Sequence, residues 1–338
     1  MSTGHLAHAL KRAFGDLLDD ARVSEIAVNP DGRVWVERAG DPGMTAATPL
    51  DRNDANDLAN DLAGDRALSE RTPLAGSDVV LGNALWRSQI VTPPAVEGGP
   101  AIALRRTVSE PRSLEILTRG ANLRHLIEGE DEEEAGVFAA LAGDDLALFL
   151  RRAVWARWNV VFSGGTSSGK TTWLRACVEA VPSTERLVTI EDVYELRPKQ
   201  PNIVQLRTGD RIPAADLLRA SLRLRPDRIL MGELRGPEAF DFLSAINSGH
   251  PGGITTLHAT SPEAALNRLA LMVMDAGKGL GFGEVVAYCR AMIDVIVQLR
   301  LVEGERRVTA IEVFRKPPDA ARGSTPARAR REAKIEAI

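Results

Sequence analysis

Two cysteines in 338 residues, Cys177 and Cys289, are too few for a disulfide framework or a four-thiolate zinc site. No apolar run reaches the roughly 18–20 residues that a membrane-spanning helix needs. The opening Met1-Ser-Thr-Gly-His-Leu6 lacks the basic-then-apolar layout of a secretory leader. Aromatic residues are scarce at 4%, and 42 Lys+Arg against 46 Asp+Glu give a formal net charge of −4. A protein that coats nucleic acid needs surplus cations and aromatic platforms for bases, and both are short here. These absences predict a cytosolic protein with no integral membrane segment and argue against direct nucleic-acid binding. Hydrophobic residues at 44% and charged residues at 26% are ordinary for a globular chain, and the length predicts two domains.

Along the chain, Leu6, Leu10, Phe14 and Leu17 recur at helical spacing, predicting a helix from His5 to Leu18. Ile26–Val28 and Val34–Val36 flank the turn Asn29-Pro-Asp-Gly32 and predict a hairpin. A second helix fits Asp54 to Leu68, with strands at Trp86–Val91 and Ala101–Leu104. Residues 1–112 therefore read as a small α+β domain and 113–135 as a linker. Acidic Glu128 to Glu134 suits a solvated segment and helix start. From 136 to 315 helices alternate with short buried-strand patterns at Asn159–Ser163, Leu187–Glu191, Arg228–Gly232 and Ile254–His258. That rhythm predicts a parallel sheet covered by helices, two of them opening with Pro237 and Pro262. Residues 316–338, rich in Pro, Gly, Ser and Arg, read as a loosely ordered tail.

Gly164, Gly165, Thr166, Ser167, Ser168, Gly169, Lys170 and Thr171 follow the pattern G-x-x-x-x-G-K-[ST] between an apolar strand and a helix. Glycines let such a loop turn around a β-phosphate with its N–H groups inward, and the helix N-terminus adds positive potential. Lys170 is placed to reach the β- and γ-phosphates, and the Thr171 hydroxyl to ligate Mg²⁺. The loop also needs an acid to position or deprotonate water. Glu233, ending the strand Arg228–Gly232, is at the carboxyl edge where a nucleotide crevice opens. Glu191, Asp192 and Glu195 end another strand, and either serve the metal's outer shell or cap a helix. His258 also ends a strand, as a γ-phosphate sensor or a structural histidine.

Four segments then occur in a telling order: Ser163–Thr172, Thr189–Asp192, Leu224–Arg235 and Ser248–Ala259. They resemble the Walker A, Asp box, Walker B and His box of the secretion ATPase superfamily. The run Ala245–Pro251 and the short N-terminal domain are most similar to the VirB11 ATPases of type IV secretion systems. The resemblance implies a RecA-like C-terminal domain, a homo-hexameric ring, ATP and Mg²⁺ as cofactors, and partners in a secretion machine at the cytoplasmic face of the inner membrane. It implies nucleotide contacts from Gly164 through Thr172, a catalytic Glu233, a metal-side Glu195, and His258 in the His box. Arg87 and Arg105 match arginines that reach nucleotide from the N-terminal domain. Thr107 replaces the usual proline of that motif, which leaves Arg105 and Arg106 as alternatives. Arg225 matches an arginine acting across a subunit boundary. The rival readings are an ATPase of type II secretion or type IV pili, whose common paired-Cys zinc element is absent, and a RecA-like nucleic-acid motor.

Overall fold

The apolar spacing at the start becomes α1 (Thr3–Phe14) and a following 3-10 turn (Gly15–Leu18) in the computed structural model. The structure describes residues 3–39, 41, 43–64, 67–81, 84–108, 137, 145–209, 211–277, 279–302 and 305–315. The linker at 113–135, its acidic run and the tail at 316–338 lie outside the described residues.

The predicted hairpin is β1 (Val23–Val28) and β2 (Val34–Arg38), antiparallel and closed by Val28 opposite Val34. Gly32 is required in its turn: its φ is +83°, and a Cβ there would lie 2.3 Å from the Leu50 carbonyl oxygen. After β3 (Thr45–Ala47) comes α2 (Arg52–Ala63), whose first turn is capped by Asp51, accepting from the N–H groups of Asn53 and Asp54 at 2.8 Å. It ends earlier than the apolar pattern predicts because Gly64, at φ +60°, terminates it, and Leu68 packs from beyond the helix. Strands β4 (Leu74–Ala75), β5 (Asp78–Leu81), β6 (Ala84–Val91) and β7 (Ala101–Val108) complete a sheet of order β3-β2-β1-β7-β6-β4, with β5 on β6. Strand alternation sends Trp86, Ile90, Ile102 and Leu104 toward α1 and α2. Val91, Ala101 and Ala103 take the other face and join the core of the C-terminal sheet.

The C-terminal unit runs α3 (Leu146–Trp155), β8 (Val160–Gly164), α4 (Lys170–Glu179), β9 (Leu187–Glu191), β10 (Ile203–Arg207), α5 (Ala214–Ser221) and β11 (Arg228–Met231). It continues with α6 (Glu238–Asn247), β12 (Ile254–Leu257), α7 (Pro262–Met274), α8 (Phe282–Met292), β13 (Val295–Val302) and β14 (Glu305–Val313). The sheet order is β10-β9-β11-β12-β8-β13-β14. β8, β9, β11 and β12 are buried along their whole length, as expected of parallel strands covered on both faces. Two details depart from expectation. The sheet is not wholly parallel, since β14 runs antiparallel to β13. Pro237 is the N-cap residue of α6 rather than its first helical residue, and the Glu238 carboxylate accepts the free N–H groups of Arg235 and Gly236 instead. Ser261 and Pro262 do open α7 as the sequence predicts, with the Ser261 hydroxyl accepting from Ala264 N–H.

The two sheets meet through a buried polar cluster. Arg186, fully buried, donates to the side-chain oxygens of Asn29 and Asn202 and to the Leu224 carbonyl. Arg225 pairs with Glu37 of β2 and with Asp227, the latter at 2.5 Å. Beside them Glu25 of β1 is pushed up to about pKa 7, first by burial and then by the charge of Glu37, with Arg105, Arg225 and Arg186 opposing. A folded chain that keeps this proton to about pH 7, while the unfolded chain releases it near 4.5, loses stability as pH rises through that window. Glu25→Gln is therefore expected to be the more stable protein at pH 8, by on the order of 3 kcal/mol, and nearly equal to wild type at pH 4.5. Melting curves at the two pH values check this. The same difference at both would show that Glu25 does not hold its proton.

Candidate nucleotide-binding site

β8 ends at Gly164 because the residues after it cannot continue a strand: Ser167 has φ +61° and Gly169 φ +93°. The chain wraps and re-enters helix at Lys170. Gly164 is needed for close approach, since a Cβ there would lie 2.4 Å from Ser168 Oγ and 2.6 Å from the Leu299 carbonyl oxygen. Ser168 Oγ donates to the Gly165 carbonyl at 2.9 Å. Lys170 Nζ folds back over the loop and donates to the carbonyls of Gly164 and Gly165 at 3.1 and 2.9 Å. Burial lowers the pKa of this ammonium, and the negative charge of Glu233 works the other way.

Glu233 follows β11, and Thr256 of β12 fixes the backbone on both sides of it. The Thr256 hydroxyl donates to the Gly232 carbonyl at 2.8 Å, and Leu234 N–H donates to the Thr256 carbonyl at 2.9 Å. The carboxylate is thus held at the carboxyl edge of the sheet. Arg235 donates to its Oε2 at 2.9 Å, while His258 Nε2 sits 3.0 Å from its Oε1. The other ring nitrogen, His258 Nδ1, is 3.4 Å from Lys170 Nζ. The structure therefore brings Lys170, His258 and Glu233 into one line at the mouth of the loop. The His258 contact is close without being aligned as a hydrogen bond, so Oε1 is a buried carboxylate oxygen with no hydrogen bond. Such an atom is poised for a donor that arrives with a ligand.

The acids after β9 divide differently from the expectation. Glu191 is the buried one, and its Oε2 accepts the N–H groups of Glu195 and Leu196, both at 2.9 Å. Burial raises its pKa, with those hydrogen bonds opposing. Asp192 pairs with Arg235 at 2.5 Å and accepts from Thr208 Oγ1 at 2.9 Å. Glu195 is exposed on the loop. β9 stands three places from β8, about 14 Å at ordinary strand spacing. The strand that Glu195 follows is thus separated from the loop strand by β11 and β12, whereas Glu233 is joined to the loop through His258.

The arginines divide between the two faces of the N-terminal sheet and its seam with the C-terminal one. In β7 Arg106 turns to the helix side, donating to the Asp20 carbonyl at 2.8 Å with its guanidinium 5.8 Å from the Trp86 ring. Arg105 stands on the opposite face, directly across from Arg87 of β6, and is exposed. Arg87 is exposed too, 3.8 Å from Asp78. The contacts that dock their sheet lie at the amino ends of β9 and β11 and along β10, through Arg186, Arg225 and the Val96–Leu206 bridge. β10 is four places from β8, so Arg87 and Arg105 stand apart from the chain's own phosphate loop. Arg225 precedes β11, at the end of the sheet opposite the loop. Glu37 and Asp227 occupy it within the chain, and their hydrogen bonds and charges raise its pKa although burial works against them.

Residues 138–328 match the family described as type II/IV secretion system protein. The type IV secretion system protein VirB11 of Brucella suis biovar 1 is 36% identical over 299 residues, covering 83% of this chain and 82% of that one. The crystal structure of the VirB11 ATPase from the Brucella suis type IV secretion system, solved in complex with sulphate, agrees with a TM-score of 0.82 at 34% identity over 91% of this chain and 97% of that one. The chain belongs to the VirB11-type secretion ATPases. The conjugal transfer protein TrbB of Rhizobium radiobacter is 34% identical over 315 residues, 90% of this chain and 89% of that one. Among the described residues no helix is long and apolar enough to cross a membrane.

For this VirB11-type ATPase the residues at the loop fit a hydrated Mg²⁺ carried by a nucleotide. The hydroxyl of Thr171 and the carboxylate of Glu233 are hard oxygen groups of the kind that such an ion or its bound waters take. Two residues at the site were assigned no role from sequence. Arg235 clamps Glu233 and Asp192, and it is visible only as the end of the Leu224–Arg235 motif. Arg306 lies on the loop from a strand 139 residues away from Ser167, a separation that no local pattern signals.

Proposed function

We propose that this chain is a Mg²⁺-dependent ATPase that works as a homo-hexameric ring at the cytoplasmic face of the inner membrane, where hydrolysis powers a type IV secretion or conjugation machine. The line of Lys170, His258 and Glu233 at the end of a glycine cradle is the observation that carries this reading. The similarity to a VirB11 and a TrbB supports a transfer machine over a pilus motor.

With ATP in the loop, Lys170 exchanges two backbone carbonyls for the β- and γ-phosphate oxygens, and its charge is worth more there because it is desolvated. Glu233, held in place by Thr256 and Arg235, takes the proton of a water aligned on the γ-phosphate. His258 lies between them and senses whether the γ-phosphate is present. Thr171 would hold Mg²⁺, which when bound neutralises charge on the transferring phosphoryl group. Arg87 and Arg105, turned away from their own loop, serve a nucleotide held by the neighbouring subunit of the ring. Attraction to ATP and release after phosphate loss would couple hydrolysis to domain movement.

A ring completed by neighbours makes turnover depend on assembly. Specific activity is expected to rise with protein concentration in step with hexamer mass in light scattering. Full turnover by a monomer would overturn the ring and the role of both N-terminal arginines.

A further inference from the structure

β13 lies against β8 with Leu299 opposite Gly164, so the β13–β14 hairpin continues past the end of β8 alongside the phosphate loop. Arg306, near the start of β14 and opposite Leu301, reaches back onto that loop. Its Nε donates to the Ser167 carbonyl at 3.1 Å. Its Cδ lies 3.0 Å from where a Cβ on Gly169 would be, so the side chain runs across the two residues that shape the turn. Ser167 is the loop's non-glycine residue in the left-handed region, a strained conformation that persists only where its surroundings enforce it. A peptide unit is planar and trans, so a carbonyl held outward turns the following N–H inward. That N–H, of Ser168, now rests on the Gly165 carbonyl at a long 3.4 Å, inside the cradle where a phosphate oxygen would take it over.

We propose that Arg306 is a positioning residue for the nucleotide: it holds the Ser167 carbonyl outward, keeps the loop in its phosphate-accepting shape and adds a cation at its rim. This rests on reading the loop as an ATP site. It makes the C-terminal hairpin part of the nucleotide site, acting on affinity rather than on the chemical step. Nε supplies one directed charge-assisted hydrogen bond, so a lysine of similar reach keeps the charge and one donor but not the fixed geometry.

The test compares wild type, Arg306→Ala, Arg306→Lys and Lys170→Ala. ATP and ADP dissociation constants come from calorimetry, kcat and KM from phosphate release, and folding from melting curves. Arg306→Ala is expected to weaken ATP and ADP alike by about tenfold, the scale of one charged hydrogen bond. It should raise KM in proportion, keep kcat within about twofold and leave the melting curve in place. Arg306→Lys should recover part of the affinity. Wild-type dissociation constants in Arg306→Ala, alongside weakened binding in Lys170→Ala, would overturn the role of Arg306 while leaving the ATP site standing. A fall in kcat at unchanged dissociation constants would overturn it as well. Wild-type protein that binds neither nucleotide would overturn both readings together.

Discussion

Lys170→Ala is expected to reduce ATP hydrolysis to background, a loss of at least about a hundredfold. The lost ammonium is the full positive charge that the loop offers to the phosphates, the rest being backbone N–H groups. Removing one preorganised donor from a desolvated site typically costs about 3–4 kcal/mol of transition-state stabilisation. There is a second effect. Nζ caps the carbonyls of Gly164 and Gly165, and alanine leaves these two acceptors facing the position of the phosphates. Binding should therefore weaken along with turnover. Phosphate release by purified protein at saturating ATP measures the effect, and activity near wild type would remove Lys170 from the mechanism.

Glu233→Gln should separate binding from hydrolysis. The amide keeps the volume and can still accept from Arg235, so the backbone pinned by Thr256 has no reason to move. What is lost is the base. ATP should still bind, and single-turnover hydrolysis should fall by about two orders of magnitude or more. Lost binding with an unchanged single-turnover rate would contradict the assignment of Glu233 to the water.

How much of this could be read beforehand follows from where each feature is encoded. The glycine cradle is legible because its chemistry demands a contiguous string, and β8, β9, β11 and β12 because burial on both faces makes them continuous apolar runs. β10 is an edge strand of alternating burial, and β13 leaves the core partway, at Arg300, so neither presents such a run. Which of Arg105 and Arg106 faces the helices depends on strand parity, which Trp86 and Asp20 define on the helix side of β7. Glu195 lies next to a strand end in sequence, but the sheet order separates it from the loop. Arg225 is the clearest case. Its partner Glu37 is 188 residues away in the other sheet, and a motif match carries no information about that pairing.

The seam along β10 has a consequence for any motion between the two units. β10 is the last strand of its sheet, and its outer side is covered by the N-terminal unit, with Arg207 N–H donating to the Ala95 carbonyl at 2.8 Å and Val96 bridged to Leu206. Peeling the two units apart there would bare a row of unpaired backbone groups, which is how sheets from different molecules come to fuse into aggregates. The segment around Ala95 is thus a guard rail on the edge of the motor. Separation of the two units along that edge would expose the protein to self-association through the bared strand.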